Sequence, residues 1–281
     1  MIARLVGQKA AERLGQQVVI DNRTGAAGLI AAELTARAAP DGYTIFMATA
    51  GPVTVAHSLQ PKLAYQPQKD FAPVIHLVDT PMALITANNV PAKSVTELVA
   101  LAKSKSALNY ASVGNGSISH LTMELFKQQT GLASASLLHV PYKGAVPAFV
   151  DISSGQVQLM FITTAAAQPH IVAGRARLLA IAAKKRVASF NQAPTLTEAG
   201  VPGLEVPVWA GVLTTANVPV NVIDTLYKHM HAALQLADVR QRLDQLGSEI
   251  VGDGPAPFGN LLTADFARWA RVIRGANLKL D

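Results

Sequence analysis

The feature that most constrains this chain is a regular alternation of short apolar runs with helix-patterned segments. Strand-like runs at 43–48, 82–86, 108–113, 137–140, 157–161 and 178–182 alternate with helix patterns at 94–104, 118–130, 146–153 and 166–173. Strands spaced by helices imply parallel sheets with helices on both faces. The front of the chain follows the same plan. Apolar residues at 2, 5, 6, 10 and 14 predict a helix that stops at Gly15. A strand at 18–20, a glycine loop at 22–28 and an alanine-rich helix at 29–38 follow, the last ending before the turn Pro40-Asp41-Gly42.

One segment breaks the alternation. Residues 204–215 (LEVPVWAGVLTT) are long, apolar and strand-like, and they precede a helical tail at 221–236, 239–246 and 257–274. A strand returning from a second lobe to complete the first has this form, with 82–86 as the outgoing crossing. The expectation is therefore an α/β protein of two doubly wound sheets, with 1–78 and 214–281 forming one lobe and 79–213 the other. Two crossing strands make a hinge and a cleft.

Composition excludes several functions. Half the residues are hydrophobic and 15% are charged, enough apolar surface for a large core and too much for disorder. The chain has no cysteine, which removes disulfides, thiolate metal sites and cysteine nucleophiles. The +6 net charge is diffuse, and its densest run, Lys184-Lys185-Arg186, lacks the interleaved aromatics of a nucleic-acid surface. A mild positive field favours small anions instead. The seven histidines are scattered, and His229 and His231 point to different faces of a predicted helix, so no metal site or cofactor is expected. Between Asp79 and Glu198 the carboxylates are Glu97, Glu124 and Asp151, each on its own predicted helix, so no acid/base pair forms.

The stretch 109–126, NYASVGNGSISHLTMELF, carries the chemistry. A strand breaks at Gly114-Asn115-Gly116 and a helix starts at Ser117, an arrangement that offers backbone N–H groups to an anion. Position 119 is Ser where a dinucleotide fingerprint needs its third glycine, and no Lys-Ser/Thr follows a glycine as a P-loop requires. The order Gly-Asn-Gly-Ser-Ile is not a nucleophile elbow. What remains is a backbone nest with the small hydroxyls of Ser112 and Ser117, suited to a carboxylate. Two other readings stand beside it: a tight turn that needs only glycine's φ freedom, and a hydrolase or transferase in which His120, one helical turn on, serves Ser117.

Taken together, the ordered motifs Asn22-Arg-x-Gly-Ala-x-Gly28, Pro40-Asp-Gly-Tyr-Thr44, Asp70-Phe-Ala-Pro-Val74, Tyr110-Ala-Ser-x-Gly-x-Gly-Ser117 with His120-Leu121, Val140-Pro-Tyr-Lys-Gly144, Pro194-Thr-x-x-Glu-Ala-Gly200 and a closing Trp269 to Lys279-Leu280 are informative. In this order they strongly resemble the extracytoplasmic solute receptors of tripartite tricarboxylate transporters, the Bug proteins. The resemblance covers essentially the whole chain. It implies a two-lobed, type II-like periplasmic binding protein (Venus flytrap) fold that encloses a small mono- or dicarboxylate. It further implies a periplasmic location and delivery to a transporter with a large and a small membrane subunit. The ligand shell is expected at the C-terminal ends of strands: Gly25, Ala26, Ala27 and Gly28; Thr49 and Ala50; Ser112, Gly114, Asn115, Gly116 and Ser117; and Thr163 with Thr164. No catalytic residue, metal or nucleic-acid partner is expected, and the receptor is expected to be a monomer.

The sequence departs from the family pattern in two places. The family begins with a signal peptide, a strand and a proline- and glycine-rich ligand loop upstream of the helix at 2–14. The expectation is that residues 1–281 are an incomplete domain, from a misplaced start or a truncated gene, and bind ligand weakly. The family also often carries an acidic residue just after the strand at 157–161. This chain has Ile162-Thr163-Thr164 there, which disfavours a ligand with an amino group.

Overall fold

The computed structural model describes residues 1–23, 25–60, 62–104 and 108–275; Thr24 of the first glycine loop and Lys279-Leu280 of the closing motif lie outside them. The first elements are α1 (Ile2–Leu14), α2 (Leu29–Ala36), β1 (Ile45–Thr49), a π-helical turn (Gly51–Val55), and the short helices α3 (Ala56–Leu59) and α4 (Pro67–Asp70). They lead into the long strand β2 (Phe71–Thr86). The middle of the chain runs α5 (Val95–Lys103), β3 (Leu108–Ser112), α6 (Ile118–Thr130), β4 (Leu137–Pro141), α7 (Ala145–Ser154), β5 (Leu159–Thr163), α8 (Thr164–Val172) and β6 (Arg177–Ala182). It ends with β7 (Pro207–Thr215), α9 (Val220–Leu234), α10 (Ala237–Gln245), β8 (Glu249–Asp253) and α11 (Pro255–Gly275). No described helix is long and apolar enough to cross a membrane.

The chain divides into two compact units. One comprises Met1–Asp79 and Trp209–Arg271; the other comprises Thr80–Val208 and the chain from Val272. The chain passes between them inside β2, at Asp79/Thr80, and inside β7, at Val208/Trp209; the sequence reading set these junctions at 78/79 and 213/214.

In the first unit the strand order is β1-β7-β2-β8, with β1 antiparallel to β7 and β2 antiparallel to β8. Helix α1 ends at Gly15 in the left-handed conformation (φ 63°), and its Val6 and Ala10 pack into a core with Val74, Ile75, Met230 and Leu243. In the second unit the order is β6-β2-β5-β3-β4, with β3 parallel to both β4 and β5. The core between this sheet and α6 includes Phe126 and Phe161, both fully buried, with ring centroids 5.7 Å apart.

Three sequence expectations change. The sheets are mixed rather than parallel throughout. β2 runs antiparallel to β5, β6 and β8, because the chain arrives on it directly and not through a helical crossover. β2 is also 16 residues long, not the five predicted. Pro81 falls between the ladder that ends at Asp79 and the one that starts at Met82, where no strand N–H is required. Finally, 18–20 is extended but forms no strand; a Cβ on Gly7 would lie 3.2 Å from Val18 Cγ1 and 3.4 Å from Ile20 Cδ1. Val18 and Ile20 pack on α1 instead of pairing in a ladder.

A close contact with little room to yield in the first unit is at Gly211 of β7. A Cβ there would lie 2.4 Å from Phe258 Cζ and 2.7 Å from the Ile75 carbonyl oxygen. Phe258 is fully buried and stacks on His76, so it has no room to yield. Gly211→Ala is expected to cost about 3 kcal/mol in urea unfolding, the upper part of the overpacking range.

Candidate functional site

In the second unit the parallel strands β3, β4 and β5 end at one edge of the sheet, so the segments that follow them gather there. Ser112 is level with Pro141 across the β3/β4 ladder, and the Tyr142 N–H donates to the Ser112 carbonyl at 3.0 Å. Across the β3/β5 ladder, Ser119 Oγ of α6 donates to the Phe161 carbonyl, tying the start of α6 to β5. The structure thus brings Ser112, Gly114, Asn115, Gly116 and Ser117 to the same edge as Thr163 and Thr164. It adds the turn Tyr142-Lys143-Gly144, which the sequence reading left out of the site; its signal was available, since it follows a parallel strand next to β3.

The loop 112–117 is a small hydrogen-bonded knot. Ser117 caps α6: its hydroxyl donates to the Gly114 carbonyl at 2.7 Å and accepts the His120 N–H at 3.3 Å. Ser112 Oγ lies 2.6 Å from His139 Nε2, accepts the Gly114 N–H at 3.2 Å and is 3.0 Å from the Gly114 carbonyl oxygen. One hydroxyl proton satisfies this set if Nε2–H of His139 donates to Oγ and Oγ–H donates to Gly114. The Gly116 N–H donates to His120 Nδ1 at 3.1 Å. Gly114 and Gly116, at φ 133° and 71°, therefore turn their N–H groups inward. The donors left at the helix start are the N–H groups of Ile118 and Ser119, which have no preceding carbonyl in the helix. Asn115, at the tip, is exposed. At β5, Thr163 leads directly into α8, placing a second helix N-terminus at this edge with no side-chain cap.

Two imidazoles lie under the knot. His120 and His139 stack with centroids 3.9 Å apart, and Tyr110 stacks on His139 at 4.8 Å. The Tyr110 hydroxyl donates to Glu124 Oε1 at 2.6 Å, and Lys127 Nζ pairs with Glu124 at 2.8 Å. Burial lowers the pKa of both histidines. For His139 the neighbouring His120 and Lys127 add to burial and Glu124 opposes, leaving it at about 4. Both rings are neutral near pH 7, as the Nδ1 acceptor on His120 requires.

The hydrolase or transferase alternative needs His120 to act on the Ser117 hydroxyl. That hydroxyl instead donates to a carbonyl, and the His120 ring accepts from Gly116. Among the described residues, no group of three or more His, Cys, Asp or Glu could hold a metal ion.

In the first unit, Gly25, Ala26, Ala27 and Gly28 all have positive φ, of 120°, 45°, 52° and 96°. Two consecutive alanines in the left-handed region store about 1–2 kcal/mol each. This turn sits on the π-helical turn after β1. A Cβ on Gly28 would meet the Pro52 ring at 3.3 Å, and one on Gly51 would lie 3.6 Å from the Ala27 carbonyl oxygen. Thr49 and Ala50 lead into that turn, so the first unit's expected residues also converge. Nothing in the local sequence announced the π-helical turn itself.

Comparison with known proteins matches this geometry to a family of solute receptors. Residues 2–278 match the model of the tripartite tricarboxylate transporter family receptor. The chain belongs to that family. Protein BugT of Bordetella pertussis (strain Tohama I) is 33% identical over 282 residues, covering 100% of this chain and 86% of BugT. The structure of R. palustris Rpa4515 with adipate superposes with a TM-score of 0.95 at 34% identity, covering 99% of this chain and 93% of that one. The structure of the periplasmic binding protein BugD superposes with a TM-score of 0.93 at 32% identity, again over 99% and 93%.

The histidine pair makes stability depend on pH. A histidine whose folded pKa lies below its unfolded value of about 6.5 binds its proton more readily unfolded, so stability is lost as pH falls from there. For His139 the loss is complete near pH 4. Wild type is expected to lose about 1 kcal/mol more than His139→Gln across this window, a figure discounted for the ring's partial exposure. Urea unfolding of both proteins at a series of pH values measures the difference.

Proposed function

We propose that the protein is a periplasmic receptor that binds a small mono- or dicarboxylate and delivers it to the large and small membrane subunits of its transporter. It acts as a monomer and catalyses no reaction. The observation that carries this reading is the knot at 112–117. Its hydroxyls and glycine N–H groups are occupied internally, so it has no activated nucleophile, and it leaves a capped helix N-terminus that favours an anion. The residues of the proposed ligand site are Ser112, Gly114, Gly116 and Ser117, which shape the knot, with Asn115, Thr163 and Thr164 in the same unit, and Gly25, Ala26, Ala27, Gly28, Thr49 and Ala50 in the other. Adipate in the R. palustris relative supports a dicarboxylate, and the name of BugD supports the periplasmic location. Thr163-Thr164, with no carboxylate of their own, support a ligand without an amino group.

Isothermal titration with adipate, malate, citrate and glutamate tests the reading. At least one plain carboxylate is expected to bind one-to-one, and glutamate more weakly. Ser117→Ala is expected to weaken binding while costing about 1 kcal/mol of stability through the lost cap. The reading fails if no acid in the panel binds, or if wild type turns over carboxylate esters or phosphoesters and Ser117→Ala does not.

A further inference from the structure

The π-helical turn Gly51–Val55 is held from a distance. Thr54 is fully buried, and its hydroxyl donates to Asp265 Oδ2 of α11 at 2.6 Å. Trp209 Nε1, on β7, donates to the same oxygen at 2.9 Å. The Asp265 residue is 7% exposed, and both of these donors are neutral. A threonine in a helical segment ordinarily bonds the carbonyl four residues back. Here that carbonyl, of Ala50, is 3.1 Å away, but the single hydroxyl proton has a shorter path to a charged acceptor. On the other side of the turn, the Tyr65 hydroxyl donates to the Pro52 carbonyl at 2.5 Å. A π-helical turn is an irregular conformation that persists only where its surroundings fix it, and such turns recur at functional sites. Burying a carboxylate among neutral donors is a costly way to fill space. What the carboxylate adds over an apolar residue is a directed bond.

We propose that Asp265 is a positioning residue. Through Thr54 it fixes the π-helical turn, and with it the backbone of Thr49 and Ala50 and the left-handed turn 25–28 seated against Pro52, in the form that meets the ligand. The ligand clause rests on the carboxylate-receptor reading; the anchoring clause does not.

Two substitutions at Thr54 separate this role from simple packing. Thr54→Val keeps the shape and deletes the donor, whereas Thr54→Ser keeps the donor and leaves a methyl-sized gap. If Thr54 only fills space, Ser is the worse variant; if it anchors the turn, Val is. Both are made in the full chain, and hydrogen exchange at the amides of residues 50, 51 and 53–55 is measured alongside adipate binding. Thr54→Val is expected to speed exchange by about tenfold and weaken adipate by about tenfold, with Thr54→Ser within about twofold of wild type. In an Asp265→Leu background, which has no acceptor at this position, Thr54→Val is expected to add little, because the two residues act as one unit. Unchanged exchange in Thr54→Val, equal loosening by Ser and Val, or additive effects with Asp265→Leu would overturn the anchoring. If wild type binds no carboxylate, the receptor reading fails, and the exchange measurements still decide the anchoring.

Discussion

The structure depends on the hydrogen bonding of one strand. β2 runs for 16 residues, and from Val74 to Thr86 nearly every residue is buried. Each N–H and C=O along such a strand must be paired, because an orphaned buried group costs about 1–3 kcal/mol. β2 meets this demand in two ladders, with β7 and β8 along its first half and with β5 and β6 along its second. The second ladder fixes the place of β5, and β5 in turn carries β3 and β4 in parallel. Once those strands run in the same direction, their following loops must gather at one edge. The candidate site is therefore a consequence of backbone pairing, laid out before any side chain takes part in binding.

At that edge, local chemistry converts a flexible glycine turn into a fixed one. Gly-Asn-Gly has large conformational freedom, yet the bonds from Ser112, Ser117, His120 and His139 close on it from both ends. Ordering the loop during folding, rather than on binding, lowers the entropy cost of capturing a ligand. The same purpose is visible in the first unit, where two alanines are held left-handed against Pro52 and the π-helical turn is tied to the C-terminal helix.

What was legible in the sequence follows the range of the interactions involved. Helices closed by local signals stood out: Ser94 accepts the Glu97 N–H as the capping pattern requires, and α6 spans Ile118–Thr130 as the pattern at 118–130 predicts. The glycine knot was legible as a turn, because Ser-x-Gly-x-Gly-Ser is contiguous. Its support was not. His139 lies 27 residues from Ser112 and Asp265 lies 211 from Thr54, and no single-sequence pattern links such partners. The length of β2 was hidden because Pro81 has a breaker's signature, and only the gap between two ladders makes it harmless. At 18–20, the β-branched run Val-Val-Ile had the appearance of a strand, because apolar residues that pack on a helix read the same in sequence as those of a ladder.

The site's chemistry also bears on how selective such a receptor can be. The donors at the start of α6 are main-chain N–H groups, and their partial positive charge is fixed in direction and does not vary with pH. On the proposed reading they would recognise a carboxylate as such, with little regard to what it is attached to. Discrimination among acids must then come from groups farther along the ligand, and these are the positions where the loops differ in chemistry: the exposed Asn115, the exposed Lys143 in the turn after β4, and Thr163 where a carboxylate would admit an amino group. A fixed, generic anchor combined with variable surroundings lets one fold serve many organic acids, because changing the ligand requires changing side chains at the edge and leaves the buried knot that holds the anchor untouched.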